Sequence, residues 1–282
     1  MRSHFRISSS AAVACAVSSA TALMTGICSG QVLALDTASN PTYSGGWSAG
    51  QNGGSGFGAW SFNGTDATPA GTYQGISSSP PLGTAWTMMA QSSSSGLANV
   101  GRSINGGLQA GQMFQTVIQN PVNNAGIYTY RGFDILFTSG TDNNVGGDNT
   151  SALRLSVFDY FNASMNWNIH DSTSHPNSAV SAITTGASPM VLSLTLNSST
   201  DYTLTLAPES NPTSPYLTFS GTLVSPIDYV DFRDYNTASS GPSDTANNLS
   251  ISSMEVMAVP EPSSLVLTGL GAIGFMLFRR RK

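Results

Sequence analysis

Cysteine is almost missing from this chain of 282 residues: there are two, Cys15 and Cys28. Both lie near the N-terminus, so the body holds no thiol. That excludes a disulfide framework, a thiolate metal site and a cysteine nucleophile there. Lysine is scarcer still, with Lys282 the single example. Between Leu35 and Ala258 the only bases are Arg102, Arg131, Arg154 and Arg233, set against twelve aspartates, Glu209 and Glu255. The resulting ten net negative charges cannot neutralise a phosphate backbone, so nucleic acid is excluded as a partner. They suit divalent cations, or solubility outside a cell.

A sustained helical period is also absent between residues 35 and 258. Period-two alternation takes its place over 153–157, 165–169, 190–196, 202–206, 217–223 and 249–251, with Thr and Ser on the wet face. Residues 126–137 read as a longer strand bulged at Gly132. Further strands are expected over 57–62, 84–90 and 112–118. About a dozen strands at roughly ten-residue spacing predict one all-β domain, a two-sheet antiparallel β-sandwich of the jelly-roll kind. A body of roughly 220 residues buries about 70% of its unfolded surface and needs no covalent staple. Trp167 alternates with Met165 and Ile169, and Trp86 shares a phase with Met88, so both tryptophans are expected in the core.

The two ends differ from the body. Arg2 and Arg6 precede a small, apolar, uncharged stretch over 11–27, the layout of a secretory signal peptide. Cleavage after Gly30 and cleavage after Ala34 are both consistent with it. At the other end stand Val259, Pro260, Glu261 and Pro262, whose prolines fix φ and bias the residues before them towards extended backbone. An apolar run from Leu265 to Phe278 follows. Its 14 residues make about 21 Å of helix at ~1.5 Å each, short of a hydrocarbon core of about 30 Å. Arg279, Arg280, Arg281 and Lys282 end the chain and would hold that run on the cytoplasmic side.

This tripartite tail resembles the PEP-CTERM sorting signal of Gram-negative bacteria, whose Val-Pro-Glu-Pro motif is matched by residues 259–262. The resemblance implies export through the Sec machinery, a transient inner-membrane anchor, and cutting by a membrane-embedded exosortase. Delivery to the envelope or to an extracellular polysaccharide matrix would follow, making exopolysaccharide a candidate partner. The chain then divides into a signal helix and peptide over 1–34, a sandwich over 35–258, and a sorting signal over 259–282. Within that signal lie the motif 259–262, a hydrophobic helix 265–278 and the basic tail 279–282.

A second stretch, Trp47 followed by Asn52-Gly53-Gly54, Gly56-Phe57 and Trp60, is similar to exported PEP-CTERM proteins with a concanavalin A-like sandwich. Arg102 and the strand from Tyr202 extend the likeness, which implies a fold without an activity. Read from its residues alone, 50–60 is a hairpin turn feeding a core strand.

Catalytic signatures are lacking. Concanavalin A-like glucanases resemble one another in a Glu-x-Asp-x-x-Glu strand, which does not occur here, and Glu209 and Glu255 are scattered rather than paired. His170 and His175 sit close in sequence, whereas a Ser-His-Asp set needs convergence from separate elements; the plain reading is a polar loop. No catalytic residue is assigned. For calcium, Asp142, Asn144 and Asp148 supply oxygen ligands around a glycine turn, although an Asn/Gly hairpin loop explains them as simply. A second acidic run, Asp228 to Asp234, would as a strand place Asp228 and Asp234 on one face and Asp231 on the other; its plain reading is a strand whose wet face is acidic, with Arg233 as local counter-ion. Tyr128, Tyr130, Tyr235 and Asn236 are candidates for an exposed sugar-facing surface, and no glycan site is assigned. The expectation is a non-catalytic envelope or matrix protein, structural or glycan-binding. A glycoside hydrolase or lyase on the same scaffold is the alternative, and a self-associating matrix protein a third reading.

Overall fold

Alternating apolar and hydroxyl side chains become two antiparallel sheets packed face to face, the expected sandwich. The computed structural model describes residues 30–62, 72–78, 82–90, 97–119, 132–140, 153–160, 167–171, 178–181, 188–224, 226–235 and 248–259. The expected signal helix and the apolar run 265–278 lie outside them. Residues 31–259 form one compact unit.

In chain order the strands are β1 (Val32–Thr37), β2 (Ser61–Phe62), β3 (Thr72–Ser77), β4 (Ala85–Ala90) and β5 (Leu97–Leu108). Next come β6 (Gln112–Gln119), β7 (Gly132–Thr138), β8 (Leu153–Tyr160), β9 (Trp167–Asp171) and β10 (Ser178–Ser181). The last five are β11 (Met190–Leu196), β12 (Asp201–Pro208), β13 (Leu217–Thr222), β14 (Ile227–Tyr235) and β15 (Leu249–Ala258). One eight-stranded sheet runs β13-β12-β11-β6-β15-β4-β3, with β1 added beside β15. The facing seven-stranded sheet runs β10-β9-β8-β7-β14-β5-β2.

Register explains the alternation. Leu192, Leu194 and Leu196 of β11 stand opposite Leu206, Leu204 and Tyr202 of β12 and are buried between the sheets. Ser193 and Thr195 face the other way, and Gln115 donates to Ser193 Oγ at 2.9 Å. Trp86 and Trp167 are fully buried, as their phase requires. Trp60 meets Trp86 and Trp47 edge-on, with centroids 5.1 and 5.0 Å apart, the geometry ring quadrupoles favour.

Three expectations need correction. The strand read over 57–62 shrinks to Ser61–Phe62 plus an isolated bridge from Phe57 to Ile104, because the glycines around Phe57 serve close packing. The bulge read at Gly132 falls between Phe137 and Thr138 in the pairing of β7 with β8. His170 and Asp171 end strand β9 and do not open a polar loop; Asp171 is buried and accepts from Tyr202 Oη at 2.7 Å across the sandwich.

Candidate functional site

Two polar clusters have a built geometry, one inside the sandwich and one on the outer face of the seven-stranded sheet. The inner cluster centres on Arg102. Ala98, Val100, Arg102 and Ile104 alternate on one side of β5, so the guanidinium enters the core in phase with apolar residues. That phase is the sequence signal that could have disclosed it. Arg102 Nη1 donates to Asp36 Oδ2 at 2.6 Å, Nη2 to Asn52 Oδ1 at 2.6 Å, and Nε to the Gly58 carbonyl at 3.0 Å. Its guanidinium carbon lies 4.7 Å from the Trp60 ring centre and 4.9 Å from that of Phe57, close enough for a cation–π contribution. Tyr43 Oη donates to the same Asp36 oxygen at 2.5 Å and accepts from Trp60 Nε1 at 3.1 Å. Burial first, then the bond to Asp36, pushes the Tyr43 phenol above its ordinary value.

Segment 50–60 is therefore no simple hairpin: it is laid over β1 and clamped by Arg102. Gly54 permits this, since a Cβ there would stand 2.2 Å from the Leu35 carbonyl oxygen. Every hydrogen-bonding group of the clamp faces another, and Asp36 and Arg102 are fully enclosed. Its chemistry is structural.

The outer cluster lies along β14. Val230 and Phe232 point into the core, which turns Tyr229, Asp231 and Arg233 outward. Asp134 of β7 stands opposite Arg233 on one side and Asn99 of β5 on the other. Ser156 donates to Asp134 Oδ1 at 2.7 Å, and Arg233 Nε lies 3.4 Å from Asp231 Oδ2. Burial opposes the Arg233 charge, yet the fields of Tyr235, Asp231 and Asp134 outweigh it and hold the guanidinium above its ordinary value. Gly101 makes room for the row: a Cβ there would stand 2.5 Å from the Tyr229 ring and 2.6 Å from Asp231 Oδ1. The acidic wet face expected for 228–234 is thus corrected. Arg233 is the counter-ion as expected, but Asp231, Arg233 and Asp234 are fully buried, and Arg233 stands between Asp134 and Asn99 of the neighbouring strands as well as beside Asp231.

Asp228 stays partly exposed at the end of this row, and its Oδ1 accepts from the Gly140 backbone N–H. There the face opens into a cleft of about 640 Å³, lined by Ser61, Ser103, Asn105, Asp228, Tyr229 and turn glycines. A concave site with a few convergent polar groups suits a small polar ligand. A second cleft of about 560 Å³ lies beside Asn40, Trp47 and Gln74.

The other expected site residues scatter. Asp142, Asn144 and Asp148 lie outside the described residues, as do Tyr128, Tyr130, Asn236 and His175. Tyr235 is half-buried at the end of β14. Glu209 is exposed in the turn after β12, and Glu255 is half-buried in β15, where burial raises its carboxyl above the usual range. Among the described residues no group of three or more His, Cys, Asp and Glu is placed to hold a metal ion. Of the sorting motif only Val259 is described; Pro260, Glu261, Pro262 and the stretch from Leu265 to Lys282 are not.

Residues 258–282 match the PEP-CTERM protein-sorting motif. The motif marks an exported protein sorted to the cell envelope. No curated protein matches the chain. Among solved structures, the chain is similar to the exoplasmic/lumenal domain of VIP36 in its Ca2+/Man3GlcNAc-bound form. That similarity has 11% identity and a TM-score of 0.43 over 73% of this chain and 88% of that one. A protein of unknown function from Shewanella oneidensis MR-1 gives 11% identity and 0.46 over 93% and 100%. An endo-acting O-glycanase structure from human gut microbiota gives 6% and 0.48 over 81% and 100%. Likenesses of this extent bear on no ligand or reaction of this chain.

Proposed function

We propose that this is an exosortase-processed protein of the envelope or extracellular matrix that holds exopolysaccharide without turning it over. Cleavage of the signal peptide after Gly30 fits best, since a cut after Ala34 would halve β1. The observation that carries the binding role is the cleft at the end of β14. Asp228, Ser103, Asn105 and Tyr229 converge there on a space large enough for a sugar unit. A carboxylate beside hydroxyl and amide groups can take the paired hydroxyls of a sugar ring by charge-assisted hydrogen bonds. Among the described residues that line the cleft Asp228 is the one carboxylate, whereas glycoside hydrolysis by the usual route asks for two facing carboxylates. Calcium held by Asp142, Asn144 and Asp148 is part of the same proposal.

The test is saturable binding of the purified protein to a glycan array and to envelope polysaccharide, in calcium and then in chelator. Binding without product release supports the reading, and loss in chelator adds the calcium site. Release of shortened oligosaccharides would replace it with the enzyme reading, and absence of binding in both buffers would leave only a structural role.

A further inference from the structure

The outer face of the eight-stranded sheet changes character at one end. Across β6, β11, β12 and β13 it carries Gln115, Ser193, Thr195, Thr203 and Ser220, several of them bonded to one another. At the start of β1 it turns apolar. Val32, Leu33 and Leu35 are 51%, 39% and 42% exposed, three of the five large hydrophobic side chains so exposed among the described residues. Register extends the patch sideways, because Val32 stands opposite Met257 and Met257 opposite Met113. Single exposed leucines need no explanation, but a cross-strand apolar row on an otherwise hydroxylated sheet does.

Both chain exits lie at this patch. The Ala258 N–H donates to the Gln31 carbonyl at 2.8 Å, and the Val259 N–H to the Gly111 carbonyl at 2.7 Å. Leu265, where the apolar run begins, is six residues beyond Val259, a tether of at most about 20 Å. The run to Phe278 ends in four basic residues, the arrangement that fixes an apolar segment in a bilayer. Neither lysine nor arginine lies among the patch residues, and Glu255, opposite Leu35 at its border, is half-buried with its carboxyl raised by burial, so attraction to lipid headgroup charge is not what the surface offers.

We propose that this apolar end of the sheet, Val32, Leu33, Leu35, Met113 and Met257, rests on the lipid bilayer while the C-terminal run is inserted. The contact rests on reading 265–278 as membrane-inserting, and it is independent of any sugar bound at the cleft. It sets the distance of the Pro260–Pro262 segment from the membrane and so presents it to an intramembrane peptidase. A short tether makes the contact effectively intramolecular, so weak apolar contacts suffice.

Met113 is the reporter of choice, being far in sequence from either end. The full chain, with Cys15→Ser and Cys28→Ser, carries one bimane-labelled cysteine, Met113→Cys or, on the hydroxylated part of the same face, Thr218→Cys. Vesicles of phosphatidylethanolamine and phosphatidylglycerol with brominated acyl chains serve as quencher. The expected result is flotation of both proteins, at least twofold stronger quenching at position 113 than at 218, and no effect of high salt. Adding Val32→Ser and Leu35→Ser, both at exposed positions, should at least halve the quenching at 113. Flotation with equal quenching at both positions would overturn the patch contact alone. Failure to float would overturn the membrane insertion and the contact with it.

Discussion

Arg102 and Asp36 meet at 2.6 Å with both side chains fully buried, one from each sheet of the sandwich. The pair fastens segment 50–60, strand β1 and strand β5 at a single point. Removing one partner of a buried pair leaves a charge without compensation, at a cost of about 3–5 kcal/mol. Arg102→Met is therefore expected to lower unfolding free energy by that order in urea titration. The double variant Arg102→Met with Asp36→Leu should recover part of the loss, because both charges are then gone. A single variant as stable as the parent would show that the pair holds nothing.

Gly101 is expected to tolerate no side chain. Gly101→Ala forces the Tyr229 ring and the Asp231 carboxylate to move, an overpacking strain of about 1–3 kcal/mol. Gly45→Ala, with nothing within 4 Å of its added carbon, should stay within about 0.5 kcal/mol of the parent. Thermal unfolding of the two variants side by side reads the difference.

Tyr202 carries a pH dependence of known sign. Burial first, and then the bond to Asp171, pushes its phenol well above the ordinary value. The unfolded phenol ionises near pH ~10, so the stabilisation is complete below that pH and is lost as pH rises through the folded value. Tyr202→Phe should weaken the protein near neutrality, leaving a buried carboxylate oxygen short of its donor at about 1–3 kcal/mol. Parent and variant stabilities should then converge above pH ~10. Parallel curves across that range would contradict the assignment.

Asp228 tests the cleft. Asp228→Asn keeps the shape and its amide oxygen can still accept from Gly140, but a charge-assisted bond to sugar hydroxyls becomes a neutral one. Glycan affinity should fall about tenfold, the equivalent of about 1.4 kcal/mol, with the unfolding midpoint nearly unchanged. Equal affinity by calorimetry would move the binding site elsewhere.

The strands with strict alternation of Leu or Val against Thr or Ser, β11, β12 and β13, were legible because one face of each is buried and the other wet. β1 was hidden because Val-Leu-Ala reads equally well as the end of a signal peptide. β5 was hidden because Gly101, Arg102, Asn105 and two further glycines mask its period. Asp231 and Arg233 looked solvated because an exposed acidic strand and a neutralised buried one share the same local sequence. Their difference lies in Asp134 on the neighbouring strand, and only the register discloses it. The clamp on Arg102 draws on Asp36 of strand β1, Tyr43 of the turn after it and residues 52, 58 and 60 of one later segment, a convergence no local pattern encodes.

The pairing of β1 with β15 sets a chronology. The first strand of the unit finds its neighbour in the last, so the eight-stranded sheet stays incomplete until nearly the whole polypeptide has crossed the membrane. Contacts of such long sequence separation form slowly, and until then β1 waits without its partner while β6 offers an unpaired edge along the stretch that β15 will occupy, a hazard for association with other chains. A chain exported in this order depends on being kept apart from its own copies until its two ends meet.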